Sequence, residues 1–218
     1  MRRTRVGSLF KVGGAVVAIL VGGVLTGCGL LDLLPAVPPG VPSGVTASFA
    51  QFDTSVQVTW TPADRAASYW VLRANTQDGD FQRIGESTAP SYTDTVGEGN
   101  RGQLYWYKVE ACNTAGCSAR SAAVPGYAGY PPAPQNVRAS QGQGGRITIS
   151  WDPVPGATFY QVFRDRFPDG TFGTYLGEST TTTIDDTTAS IGIGYWYKVR
   201  ACTPTACGNL STAAYGYR

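Results

Sequence analysis

The chain has no histidine in its 218 residues, and that absence removes a large part of enzyme chemistry. Without imidazole there is no Ser-His-Asp or Cys-His nucleophile, and zinc loses one of its usual ligands. No sustained helical period of apolar residues runs along the chain, so an amphipathic helix is not expected. No cluster of basic residues follows the N-terminal segment, so no surface is predicted to track a phosphate backbone, and no nucleic-acid partner is expected. One adjacent carboxylate pair, Asp185-Asp186, lies in an extended segment. Neighbouring side chains there point to opposite faces, which predicts a solvated strand end and not a paired acid and base. Enzymatic activity and a cofactor are therefore not expected.

What is present begins with an address. Arg2, Arg3, Arg5 and Lys11 precede an apolar run from Val12 to Leu25, the shape of an export signal and short for a bilayer span. The run ends in Leu25-Thr26-Gly27-Cys28. This resembles the lipobox of bacterial lipoproteins, which implies cleavage before Cys28 and lipidation of its thiol. Acyl chains at Cys28 would bury enough methylene for stable membrane anchoring. The expected location is the cell envelope, on a periplasmic or extracellular face, and Gly29 in place of an aspartate favours the outermost available surface. Competing readings are an ordinary signal peptide with a stray cysteine, an uncleaved anchor helix, or twin-arginine export through Arg2-Arg3. Four of the 17 basic residues lie before Cys28, leaving 13 against 15 acidic ones, formally minus two. The positive charge of the whole chain belongs to the signal.

The rest of the sequence states one pattern twice. Trp60, Tyr69 to Arg73, Gly85-Glu86-Ser87 and Tyr105-Trp106-Tyr107-Lys108-Val109 recur as Trp151, Tyr160 to Arg164, Gly177-Glu178-Ser179 and Tyr195-Trp196-Tyr197-Lys198-Val199. The offset is 91 at the tryptophan, 92 at the Gly-Glu-Ser and 90 along the tyrosines, so the register slips only between elements, where insertions are tolerated. Within each copy apolar residues alternate: Val56, Val58, Trp60; Tyr105, Tyr107, Val109, Ala111; Ile147, Ile149, Trp151; Tyr195, Tyr197, Val199, Ala201. Period two, bounded by Gly, Pro, Asp and Thr, predicts strands. Each copy is read as one all-β sandwich of about 90 residues.

Four cysteines remain after Cys28, as Cys112-x4-Cys117 and Cys202-x4-Cys207. Matched pairs on an exported chain read as disulfides. A four-cysteine zinc site is the rival, with loose spacing and ligands split between copies. The Asp-Gly turns Gln77 to Asp80 and Pro168 to Gly170 suggest calcium less than they suggest turns.

Each copy resembles the fibronectin type III domain. The residues carrying the likeness are Pro42 and Val45, or Pro134 and Val137; the second-strand Trp60 or Trp151; Tyr69 and Val71, or Tyr160 and Val162; and the Tyr-x-Tyr-x-Val-x-Ala run. The Leu-x-Pro turn usual before that run is missing, and so is the Arg-Gly-Asp of the family's best-known integrin-binding loop. Thr203 and Ala206 replace Asn113 and Gly116, so the last hairpin of the second copy is expected to differ in shape. The division that follows is a lipoprotein signal at 1–27, a lipidated Pro/Gly-rich tether at 28–41, sandwiches at 42–128 and 134–218, and a linker at 129–133.

If the alternating core residues point inward, Trp70, Leu72 and Trp106 point outward in the first copy, and Phe163 and Trp196 in the second. Exposed aromatic residues stack on sugars and anchor protein interfaces, so these five form the candidate binding face. The competing reading is scaffold: rings covering the stems of Lys108 and Lys198 or shielding the disulfides. The expected function is a non-catalytic adhesion or interaction module facing an envelope or extracellular protein. A carbohydrate-binding lipoprotein taking a polysaccharide, or a passive spacer, are the alternatives.

Overall fold

The computed structural model describes residues 37–142 and 144–218. The signal, Cys28 and most of the tether lie outside the described residues. The first copy comprises β1 (Ser43–Ala47), β2 (Ser55–Thr61), β3 (Ser68–Ala74), β4 (Gln82–Ser87), β5 (Ser91–Thr95), a short 3-10 turn (Glu98–Asn100), β6 (Tyr105–Asn113), β7 (Gly116–Cys117) and β8 (Val124–Gly126). The second comprises β9 (Arg138–Ala139), β10 (Ile147–Ser150), β11 (Phe159–Asp165), β12 (Thr174–Ser179), β13 (Thr183–Asp186), β14 (Gly194–Cys202) and β15 (Ala214–Tyr217). A β1-β2-β5 sheet faces a sheet ordered β4-β3-β6, with β7 and β8 on the far side of β6; β9-β10-β13 likewise faces β12-β11-β14-β15. The named pairings are antiparallel. Each repeat is an all-β sandwich.

Alternation explains why these segments fold so. Along β6 every second residue from Tyr105 to Ala111 is buried, and β14 repeats the pattern from Tyr195 to Ala201. Val56, Val58, Val71, Tyr107 and Val109 in one core, and Ile147, Ile149, Val162, Tyr197 and Val199 in the other, have no exposed surface. Each such side chain contributes about 1.5–3 kcal/mol by leaving water. Trp60 packs on Tyr69 at 5.1 Å and Trp151 on Tyr160 at 5.3 Å between ring centres. The two tyrosine hydroxyls accept the backbone N–H of Ala63 and of Val154, both at 2.9 Å.

The segment joining the repeats is packed. Gly129 N–H donates to the Phe52 carbonyl at 2.9 Å, Tyr130 lies over Gly102, and the Pro131 carbonyl rests against Gly208 of the second repeat. Tyr127 is fully buried, 5.3 Å from Phe49. Phe49 in turn covers Gly156, which has φ +75° and whose Cβ, were it present, would stand 2.5 Å from that ring. Burial, with the nearby Tyr160, pushes the Tyr127 hydroxyl up to about 12.

The last hairpins differ as expected from Thr203 and Ala206. β6 and β7 pair at Cys112 with Cys117 and at Asn113 with Gly116, whereas only an isolated bridge joins Cys202 to Cys207. The Asn113 amide reaches the carbonyls of Val37 and Arg65 at 3.0 and 3.1 Å, tying Val37 to the first repeat. Thr203 turns inward and bonds Ala206 instead.

Candidate binding face

Cys112–Cys117 and Cys202–Cys207 are disulfide-bonded, each across the hairpin that follows the long strand. In the chain-entropy picture so short a loop contributes about 2 kcal/mol. Cys112 and Cys202 are buried, and Cys117 and Cys207 are half-buried.

The first repeat does not present the apolar patch expected of Trp70, Leu72 and Trp106. Leu72 is only 3% exposed. It forms a small outer core with Ala74 and Phe81, and half-buried Trp106 and Ala123 pack against it. The reason is Phe81, which the turn ahead of β4 folds back over the outer face, with the Lys108 ammonium 4.4 Å above its ring. A register shift between β3 and β4 at Val71/Leu72 accompanies this packing. Trp70 is half-buried beneath the Arg83 guanidinium, 4.0 Å from its ring, and Arg83 is held by Glu86 at 2.6 Å. On this repeat the rings cover scaffold.

The second repeat uses the same device and then departs from it. Phe172 returns over the outer face, buried, with Lys198 4.4 Å above it. Phe163 and Trp196 stay half-buried, but three further rings join them: Tyr175, 5.5 Å from Phe163, and Tyr215 and Tyr217, with Tyr215 5.2 Å from Trp196 and 6.1 Å from Tyr217. These three tyrosines are 39–50% exposed. Pairing sets them as an aromatic row in two ranks on the outer face, Tyr175 beside Phe163 in the rank of Lys198, and Trp196 beside Tyr215 in the next rank, two residues back along β14. Tyr215 lies flat because its neighbour is Gly194, whose Cβ would overlap the ring. Arg200 sits 5.1 Å from Phe163, its guanidinium fixed by two bonds to Gln161 at 2.6 and 2.8 Å.

The repeat offset of 90 shows why only one copy has the row. Tyr215 corresponds to Pro125, Gly194 to Leu104, and Tyr217 to Tyr127, which the junction buries. The outward tyrosines of β15 follow from Tyr215-Gly216-Tyr217, which alternates at period two.

A second element was missed altogether. Asp186 was expected at a solvated strand end, yet it is fully buried. Its carboxylate accepts from Arg164 Nη1 at 2.7 Å, the Tyr197 hydroxyl at 2.8 Å, the Thr188 N–H and hydroxyl at 2.8 Å, and the Ala189 N–H at 3.0 Å. Burial opposes its ionisation, but the bonds from Tyr197, Arg164 and Thr188 outweigh that and hold the carboxyl below its usual range. Asp185 does point the other way, to Thr148 at 2.6 Å and Arg146 at 3.2 Å. The first repeat carries the counterpart trio, Arg73 and Tyr107 donating to Asp94 at 2.8 and 2.9 Å. Burial and the adjacent aspartate charge push Tyr107 upward; Tyr197 is raised by burial and its bond to Asp186. A repeated Arg, Asp and Tyr at inward parity was the available signal.

No family model matches the chain. Over 71 residues, 33% of the chain, it is 34% identical to an amylopullulanase of Thermoanaerobacterium saccharolyticum, a match spanning 6% of that enzyme. Among solved structures, the FN1-FN3 domains of chicken CNTN1 are 23% identical, with 83% of this chain and 67% of that one covered and a TM-score of 0.40. A Fn3-like protein from Clostridium thermocellum is 28% identical over 42% of this chain and 95% of its own, with a TM-score of 0.37. FN3tt is 18% identical over 43% of this chain and 97% of its own, at a TM-score of 0.37.

Proposed function

We propose that this chain is a non-catalytic binding module, held at the cell envelope by a lipidated Cys28, that meets an envelope or extracellular protein through the outer aromatic row of its second repeat. The observation that carries this reading is the exposure of Tyr175, Tyr215 and Tyr217 beside Phe163 and Trp196. The equivalent face of the first repeat is sealed by Phe81 and Trp106. Tyrosine and tryptophan anchor interfaces because they remove large apolar area from water at low entropic cost and keep a polar edge. A photo-crosslinker at position 196 in the living cell should capture one dominant partner, lost in Tyr215→Ala. Scattered adducts, unchanged in that variant, would leave the spacer. Cys28→Ala should release the protein from membranes.

A second reading is a carbohydrate binder, favoured by the match to part of an amylopullulanase. Retention on an insoluble α-glucan, lost in Trp196→Ala and kept in Trp106→Ala, would select it over the protein interface.

A further inference from the structure

Strand β11 runs away from the junction and β14 returns toward it, so the segments after β11 and before β14 share the pole of the second repeat farthest from the first. There a notch of about 270 Å³ is lined by Arg164, Asp165, Arg166, Thr174 and Tyr195. The Arg164 guanidinium lies 4.5 Å from the centre of the Tyr195 ring, and that of Arg166 lies 5.3 Å from the same ring. Two cations thus converge on one aromatic.

The hydrogen-bond inventory of the notch is one-sided. Its carboxylate is already engaged: one Asp165 oxygen takes the N–H groups of Arg166 and Phe167 at 2.7 and 3.1 Å, and the other takes that of Phe172 at 3.0 Å. Asp186, behind Arg164, is saturated by the five bonds described above. Its donors are less committed. Arg164 uses only Nη1, toward Asp186 and Thr188. Among the described residues neither the Arg166 guanidinium nor the Thr174 hydroxyl has a hydrogen-bond partner. Arg164 is held in place by those bonds, so its remaining N–H groups are preorganised.

We infer that this notch is an oxyanion site, taking a carboxylate or phosphate group between the guanidinium groups of Arg164 and Arg166, with the Thr174 hydroxyl beside it. Guanidinium groups match planar or tetrahedral oxyanions through paired, charge-assisted N–H bonds, which a neutral hydroxyl group does not offer. The first repeat provides a comparison within the same chain. Arg73 stacks on Tyr105 at 4.5 Å as Arg164 does on Tyr195, but Asn75 stands where Arg166 does and Ala74 where Asp165 does. The second cation and the capped loop belong to the second repeat alone. The site is independent of the aromatic row, since Tyr195 and Trp196 point to opposite sides of their sheet.

The test is an NMR titration of the full chain in neutral detergent micelles, following the arginine Nε–Hε signals, with inorganic phosphate, glucuronate and glucose added separately. The expected result is saturable shifts at Arg164 and Arg166 with phosphate, glucuronate or both, and none with glucose. Arg166→Gln, an exposed change that spares the core, should weaken binding about tenfold or more. Response to phosphate alone would assign a phosphoryl group, and to glucuronate alone a carboxylate. Absence of saturation, equal shifts at exposed Arg138, an equal response to glucose, or unchanged affinity in Arg166→Gln would each overturn the site. The crosslinking result at position 196 is unaffected by any of these outcomes, so the two readings fail separately.

Discussion

Replacing Asp186 by asparagine should damage the second repeat far more than Asp94→Asn damages the first, and the reason lies in how the two carboxylates are surrounded. Both oxygens of Asp186 face donors: Arg164 and the Tyr197 hydroxyl at one, two backbone N–H groups and the Thr188 hydroxyl at the other. Either orientation of an asparagine amide sets its NH2 against donors. It also leaves Arg164, with 16% of its side chain exposed, without its counter-charge. Breaking a buried charge pair this way costs about 3–5 kcal/mol, a large fraction of the ~5–15 kcal/mol that holds a domain folded. For Asp94 only one oxygen is engaged, by Arg73 and Tyr107. An asparagine there can keep its carbonyl on those donors, and Arg73 is 29% exposed and better screened. The expected loss is about 1–3 kcal/mol. Urea unfolding followed by hydrogen exchange of β14 amides for the second repeat and β6 amides for the first reads the two separately. Equal losses, or a loss below about 1 kcal/mol in Asp186→Asn, would refute the reasoning. The pH dependence follows with its sign: the folded carboxyl of Asp186 lies below its unfolded value. Its contribution is therefore complete above the unfolded value, near 3.9, and is lost as pH falls through the lower folded one. Asp186→Asn should flatten the acid limb of the second repeat's stability.

Gly156→Ala forces a side chain into positive φ and against Phe49; it should cost about 1–2 kcal/mol and loosen the junction, seen as separate tumbling of the repeats in NMR relaxation. Converting Cys202 and Cys207 together to alanine should lower second-repeat stability by about 2 kcal/mol, measured by urea midpoint. Thiol titration of the unreduced wild-type protein should find none of the four hairpin cysteines reactive.

The sequence by itself determined the all-β sandwiches, the inward rows and the hairpin disulfides, because each rests on local information: a period of two, a repeated spacing and an even cysteine count. Tyr107, Val109 and Ala111 had to share a face whatever lay opposite them. Parity could also say that Leu72 and Trp106 leave the core side of the sheet. It could not say that they meet water, since that depended on Phe81 folding back from the turn ahead of β4, a contact with no periodic signature. Asp186 shows the same limit in reverse. Its alternation from Asp185 was readable, but its burial was decided by Arg164 and Tyr197, brought from β11 and β14 on the facing sheet. The notch at Tyr195 and the aromatic row through Tyr215 are likewise tertiary products. In each, residues distant in sequence acquire a common neighbour only when the strands pair, and exposure is set by what covers a side chain, not by which way it points.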